Sequence, residues 1–148
     1  MGPTDLHEIA DELLAASVEA LDTIPLFSPG LAGAPERSFV SPGRPAFDNC
    51  CGDDGGGQLT VNYSLVTPKQ TTIAVAGTSG RIKAMVNLVQ FNITIIRCIP
   101  SASGQWAEPP TAEALDEAAT QTVADAWALW NHLWNLICAD QLLSMCQE

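Results

Sequence analysis

Residues 47–67 read FDNCCGDDGGGQLTVNYSLVT, a cysteine pair and a Gly/Asp turn followed by a strand. From Gln58 to Thr67 the chain alternates, with apolar residues at every second position. A period of two residues is typical of a strand with one buried face, and the clustered glycines suit a turn. The segment therefore predicts a half-buried strand that begins just after a turn.

A second strand is predicted from Lys83 to Ile99 by a similar alternation. Its apolar parity changes near Leu88 and Val89, which predicts either a β-bulge there or a stretch covered on both faces. Between the strands, residues 69–83 contain β-forming residues without an obvious core, so we predict a hairpin arm. Such an arm can insert into a neighbouring subunit or fold back on its own sheet. Its candidate contact residues are Lys69, Thr72, Ile73, Val75, Arg81 and Lys83.

Helical patterns flank the strands. Residues 4–22 are predicted to form a helix, because they begin with a D-x-x-E capping box and have apolar side chains at helical spacing. Residues 111–138 are predicted to form a second helix, which follows Pro109-Pro110 and has Thr111 as its N-cap. Residues 23–57 form a Pro/Gly-rich wrap and turn, with a short strand at 38–40, and residues 139–148 form a C-terminal extension. The sequence predicts an α+β fold in a single domain, 1–148, with an antiparallel sheet and the long C-terminal helix packed on it.

The C-terminal helix is apolar around most of its circumference. Trp127, Trp130 and Trp134 belong to one apolar stripe, and leucines and alanines form a second. Such a helix needs more partners than one sheet face provides, so part of its surface is predicted to lie between subunits. The three tryptophans are the candidate contact residues on this helix.

The charge is divided along the chain. The net charge is −11, yet all six basic residues lie between positions 37 and 97, where three acids oppose them and leave a net charge of +3. Residues 1–36 and 98–148 each hold seven acids and no base. This division is typical of a solvated surface, and it also suits subunits that meet through opposite potentials. The sequence argues against sequence-independent binding of nucleic acid, because neutralising the phosphates needs clustered Lys and Arg side chains.

Chemical sites are weakly indicated. The five cysteines and two histidines contain no C-x₂-C pair, so no metal or cofactor is predicted, and the protein is predicted not to be an enzyme. Cys50, Cys51 and Cys98 are interpreted as structural thiols, mostly buried and free. A disulfide is the alternative, because Cys98 ends one predicted strand and Cys50 or Cys51 comes just before the other, which can bring the sulfurs close together. A rival hypothesis, an enzyme with scattered site residues, predicts a deep pocket near His132 or Cys50.

The sequence also predicts where the protein is made. It has no apolar run long enough to cross a bilayer, and its first residues are acidic, unlike the basic start of a signal peptide. We therefore expect synthesis in a cytoplasm and no membrane partner.

Three separated blocks resemble one known family. They are AFDNCCG at 46–52 with GQL at 57–59, IRCIP at 96–100, and PPTAEALD at 109–116, which opens the helix that ends near Cys138. Together they resemble the small neck proteins of long-tailed actinobacteriophages, called tail terminator or head-to-tail connector proteins. The resemblance covers residues 5–138; Phe47 stands where that family has Trp, and residues 139–148 are an extension.

The resemblance implies a structural protein of the virion. A tail terminator is expected to form a hexameric ring that caps the tail tube, contacts the major tail tube protein and the stopper or connector proteins, and lets DNA pass through its lumen without specific binding. The stopper and adaptor positions of the neck remain alternatives. A third hypothesis from the residues alone is a small monomeric binding module that uses the β arm.

Overall fold

The computed structural model describes residues 3–43, 57–74, 81–100 and 108–139. A helix, a short second helix, three strands and a long helix follow one another in that order, as the α+β prediction requires. Their bounds are α1 Pro3–Asp22, α2 Ile24–Phe27, β1 Arg37–Pro42, β2 Gly57–Ala74, β3 Arg81–Arg97 and α3 Ala112–Cys138. None of the helices in the described part of the chain is both long and apolar enough to cross a membrane.

The described strands form one mixed sheet in the order β1-β2-β3. β2 and β3 pair in antiparallel fashion, from Gly57 opposite Arg97 to Ala74 opposite Arg81. β1 pairs with β2 in parallel, starting with Arg37 opposite Gln58. The sheet is therefore mixed and not wholly antiparallel, while the predicted long hairpin is present in β2 and β3.

A β-bulge interrupts the hairpin at Ser64. Tyr63 lies opposite Phe91 and Leu65 lies opposite Gln90, so Ser64 is the extra residue. The bulge was predicted near Leu88 and Val89 on β3, and that placement is wrong. An extra residue in either strand changes which side chains of the two strands share a face of the sheet. The alternation in β3 alone therefore could not show which strand contains the extra residue.

The buried core lies between α1, the sheet and one face of α3. Leu21, Ile24 and Leu59 are its fully enclosed members, and partly buried side chains from every layer pack around them: Leu14, Val18, Leu31, Ala34, Ile93, Ile95, Ala124, Ala128 and Leu129. α1 contributes apolar residues at helical spacing, as the sequence predicted. The core thus fixes which face of α3 is turned toward the sheet.

β2 is the central strand and is buried on both faces near its start. Leu59 and Val61 are fully buried, and so are Gln58 and Thr60 on the opposite face. The amide Nε2 of Gln58 donates a hydrogen bond to the Thr60 hydroxyl at 2.9 Å, which compensates part of the cost of burying these polar groups. The prediction that this strand is half-buried is therefore wrong for its first residues.

Gly57 is required where β2 begins. Its φ is +151°, and a Cβ at this position would lie 2.6 Å from the backbone oxygen of Ile96. Glycine adopts such a backbone conformation without the strain that a Cβ introduces. The last glycine of the Gly/Asp segment thus allows β2 to approach β3 closely.

Candidate assembly surface

An ion pair fixes the rotation of α3 about its axis. The carboxylate of Asp125 is buried and accepts two hydrogen bonds from the Arg97 guanidinium at the end of β3, from Nε and from Nη2, both at 2.8 Å. The same Nη2 donates to the backbone oxygen of Gly33 at 2.6 Å. A bidentate, enclosed pair of this kind imposes both a distance and an orientation. It holds the middle of α3 against β3 and the segment that follows α2.

Gln121 extends this network by one helical turn. Its Nε2 donates to Asp125 at 2.8 Å and to the Ala32 carbonyl at 3.1 Å, while its Oε1 accepts from the Ala32 backbone N–H at 2.7 Å. The side chains that face inward therefore include Gln121 and Asp125 together with Ala128 and Leu129. This polar network was not predicted from the sequence.

The opposite face of α3 presents an exposed apolar stripe. Successive members are four, three, four and three residues apart, the spacing of a coiled-coil seam, and they lie about 120–200° around the helix from Asp125. Trp127, Trp130 and Trp134 are 68%, 64% and 54% exposed. We call this set the outer stripe; it consists of Val123, Trp127, Trp130, Trp134 and Ile137.

The rings of Trp130 and Trp134 stack on one another, with centroids 5.7 Å apart and planes inclined by 10°. Stacking one turn apart orders two large side chains before any partner binds, and this lowers the entropy that binding would otherwise cost. The stripe is thus a preformed aromatic ridge.

A groove runs along one side of this ridge. It has a volume of about 770 Å³ and lies between α3 and the region of α2. Phe27 of α2, which is 83% exposed, lines it opposite Trp127. The other lining residues are Thr23, Ile24, Ser28, Leu31, Ala119, Thr120, Val123, Ala124, Ala128, Asn131, His132 and Asn135. We call it the α2–α3 groove.

A smaller cleft of about 330 Å³ lies on the other side of the ridge, between Ile93 of β3 and α3. Its remaining lining residues are Ala126, Leu129, Trp130, Leu133, Trp134 and Ile137. The ridge is thus flanked by a concavity on each side. Helices pack against other elements by fitting ridges of side chains into grooves of the partner, so this surface has a shape suited to packing.

His132 lies in the α2–α3 groove, where the hypothesis of an enzyme placed a pocket. Its Nε2 is 3.8 Å from a carboxylate oxygen of Glu19 on α1 and has no hydrogen-bond partner among the described residues. A nucleophile activated by histidine lies within hydrogen-bond reach of the ring nitrogen. No hydroxyl or thiol in the described part of the chain has that relation to Nε2.

The arm has a cationic surface. Lys69 and Lys83 are exposed, as are the described side chains of residues 67–70. Thr72 pairs with Lys83, Ile73 with Ile82 and Ala74 with Arg81, so these predicted contact residues occupy the far part of the hairpin. Val75 lies outside the described residues.

Cys98 departs from the prediction of a free thiol and follows the alternative of a disulfide. Cys98 is disulfide-bonded, with its partner outside the described residues, and Cys138 is an exposed free thiol at the end of α3. Cys98 directly follows Arg97, which pairs with Gly57. Cys50 and Cys51 lie outside the described residues.

Within residues 3–43, 57–74, 81–100 and 108–139, no group of three or more His, Cys, Asp or Glu side chains is placed to bind a metal ion. No protein-family model, curated protein or solved structure matches this chain. The resemblance to phage neck proteins therefore stays a prediction, and the outer stripe with its flanking grooves is the feature on which a functional argument can be built.

Proposed function

We propose that the protein is a structural component of the phage neck that assembles with copies of itself into a ring, with the outer stripe of α3 buried at the contact between subunits. The tail-terminator position is the one we favour. In that position the ring caps the tail tube, joins it to the head connector and leaves a channel through which DNA passes without specific binding.

The exposed aromatic ridge is the observation that most supports self-assembly. With about 200 Å² for each aromatic side chain, Phe27 and the three stripe tryptophans leave roughly 500 Å² of apolar surface exposed. The largest apolar patch on a typical monomer is about 300–600 Å², and the aliphatic members of the stripe enlarge this one further. The total approaches the roughly 800 Å² that each partner contributes to a standard protein–protein interface.

The fixed orientation of α3 supports the same proposal. Because the Arg97–Asp125 pair turns one face of the helix inward, the stripe cannot reach the core by rotation of the helix. The stripe is therefore a stable surface feature, of the kind that obligate subunits bury on assembly. A mobile binding module, the alternative drawn from the sequence, has less use for a rigid ridge of this size.

The disulfide at Cys98 agrees with a protein that works in a particle released from the cell. Disulfides persist outside the reducing cytoplasm, and a virion protein is made inside it and then exposed to an oxidising medium. We accordingly propose a location in the tail or neck of the virion after assembly in the host cytoplasm.

Binding to tail tubes tests the neck position. Purified protein is mixed with assembled tail tubes or with isolated head connectors, and each mixture is sedimented and inspected by negative-stain electron microscopy. A tail terminator is expected to cap tube ends as a ring with a central channel. Binding to head connectors but not to tubes would favour the stopper or adaptor position, and binding to neither would contradict a role in the neck.

A further inference from the structure

The α2–α3 groove has no acidic residue in its lining, but acidic residues of α1 and α3 lie near its margins. Glu19 of α1 lies next to His132 on one wall. On α3, Glu113 and Glu117 precede the groove-lining residue Thr120 by seven and three residues, a spacing that places them on the same face of the helix. The sequences of α1, α2 and α3 contain no Lys or Arg. The groove therefore favours a cationic occupant.

The arm has the opposite charge and a suitable shape. β2 and β3 contain no acidic residue, and Lys69 and Lys83 are exposed. Lys69 lies opposite Val86 and Lys83 opposite Thr72, so the two lysines are three residue pairs, about 10 Å, apart along the hairpin. An odd number of pairs places them on opposite faces of the ribbon. A ribbon with a cation on each face can bring both cations near the acids at the margins of the groove.

We propose that the arm of one copy docks in the α2–α3 groove of a second copy. This inference rests on the self-assembly proposed above and names the two surfaces that meet. The apolar lining around Phe27 and Trp127 would cover the uncharged part of the ribbon, and the acids at the margins would pair with Lys69 and Lys83.

Symmetry and charge both favour the arm over a second α3 as the occupant. Two α3 helices packed together would place acidic first turns and acidic neighbouring helices in one interface. Such a contact uses the same patch on both copies and closes after two copies. A contact between an arm and a groove uses two different patches, and contacts of that type generate rings.

Two variants that each damage one surface test the inference. Lys69→Glu combined with Lys83→Glu reverses the charge of the arm and leaves the groove intact. Asn131→Arg places a bulky cation at an exposed position of the groove wall and leaves the arm intact. Thr122→Arg is the matched control, since Thr122 is exposed on α3 and lines neither concavity.

Each damaged variant alone is expected to self-associate about 10- to 100-fold more weakly than wild type, as measured by sedimentation velocity. An equimolar mixture is expected to associate more strongly than either variant alone, because the intact arm of the groove variant can enter the intact groove of the arm variant, and the introduced glutamates can pair with the arginine introduced by Asn131→Arg. The Thr122→Arg protein should assemble as wild type does.

A mixture that stays monomeric, or either damaged variant assembling as strongly as wild type, would overturn the arm-in-groove contact. Failure of the inference is separable from failure of the proposed function. If both variants assemble normally while Trp130→Ala does not, the proposal of a ring with the outer stripe at the subunit contact is retained. The arm-in-groove contact is then rejected, and the outer stripe packs against another surface of the neighbouring subunit. A wild-type protein that stays monomeric with and without tail tubes would contradict both.

Discussion

Replacing Trp130 with alanine removes the aromatic ring at the centre of the outer stripe. About 64% of this residue is exposed, which for a tryptophan, the largest aromatic side chain at about 240 Å², corresponds to roughly 150 Å² of surface available to a partner. At about 25 cal/mol per Å², burying it contributes roughly 3–4 kcal/mol to each contact, and alanine retains a small part of that. We expect the dissociation constant of each contact to rise about 100-fold.

The same substitution should change the fold little. The monomer loses the stacking of Trp130 on Trp134, a contribution of about 0.5–1.5 kcal/mol, and no fully buried side chain. Self-association is measured by sedimentation velocity over a range of concentrations, and the free energy of unfolding by urea titration of dilute protein.

The control is Leu115→Ala, which removes an exposed apolar side chain from the same helix outside the stripe and should leave assembly unchanged. If Trp130→Ala and wild type associate with equal affinity, the outer stripe is not the subunit contact and the reasoning from its exposure fails.

Three further predictions concern the fold that holds the stripe in place, and each is read from urea unfolding of the monomer. Asp125→Ala leaves the Arg97 guanidinium enclosed without its carboxylate and should lower the free energy of unfolding by about 3–5 kcal/mol; an unchanged midpoint would contradict an orienting role for the pair. Gly57→Ala should lower it by about 1–3 kcal/mol through the close approach to Ile96, and a neutral result would contradict the positive φ. Cys98→Ser should lower it by about 2–4 kcal/mol under oxidising conditions and far less with reductant present, whereas equal losses would indicate that the effect does not come from the disulfide.

Local patterns were sufficient to predict the helices and the hairpin. The bounds of α1 and α3 follow from helical periodicity, the Thr111 hydroxyl accepts a hydrogen bond from the Ala114 N–H at 3.2 Å as an N-cap should, and the alternation from Gln58 onward marks β2. These signals depend on neighbours within a turn or two of the chain. They need no knowledge of which elements meet.

The direction of β1 was harder to predict, because alternation along a strand does not show which strand it pairs with or whether that pairing is parallel or antiparallel. The length of the connection did contain a signal. Fourteen residues separate Pro42 from Gly57, and connections of a dozen or more residues suit parallel pairing, whereas antiparallel neighbours are commonly joined by tight turns.

The Arg97–Asp125 pair joins residues far apart in sequence, and that is why it was missed. One signal existed: after Glu117, Asp125 is the next acid in α3, and it lies on the same face as inward residues such as Ala128 and Leu129. A carboxylate on an apolar face requires a buried partner, and Arg97 is the basic residue at the end of the adjacent strand. The stripe of tryptophans was identified from the sequence, but its exposure depends on this pair.

The stoichiometry of the purified protein tests the central claim most directly. Native mass spectrometry of wild-type protein, alone and after incubation with assembled tail tubes, reports how many copies associate. We predict a closed ring, hexameric if the resemblance to tail terminators holds, either in solution or once tubes are added. A protein that remains monomeric at every concentration and does not respond to tubes would contradict it.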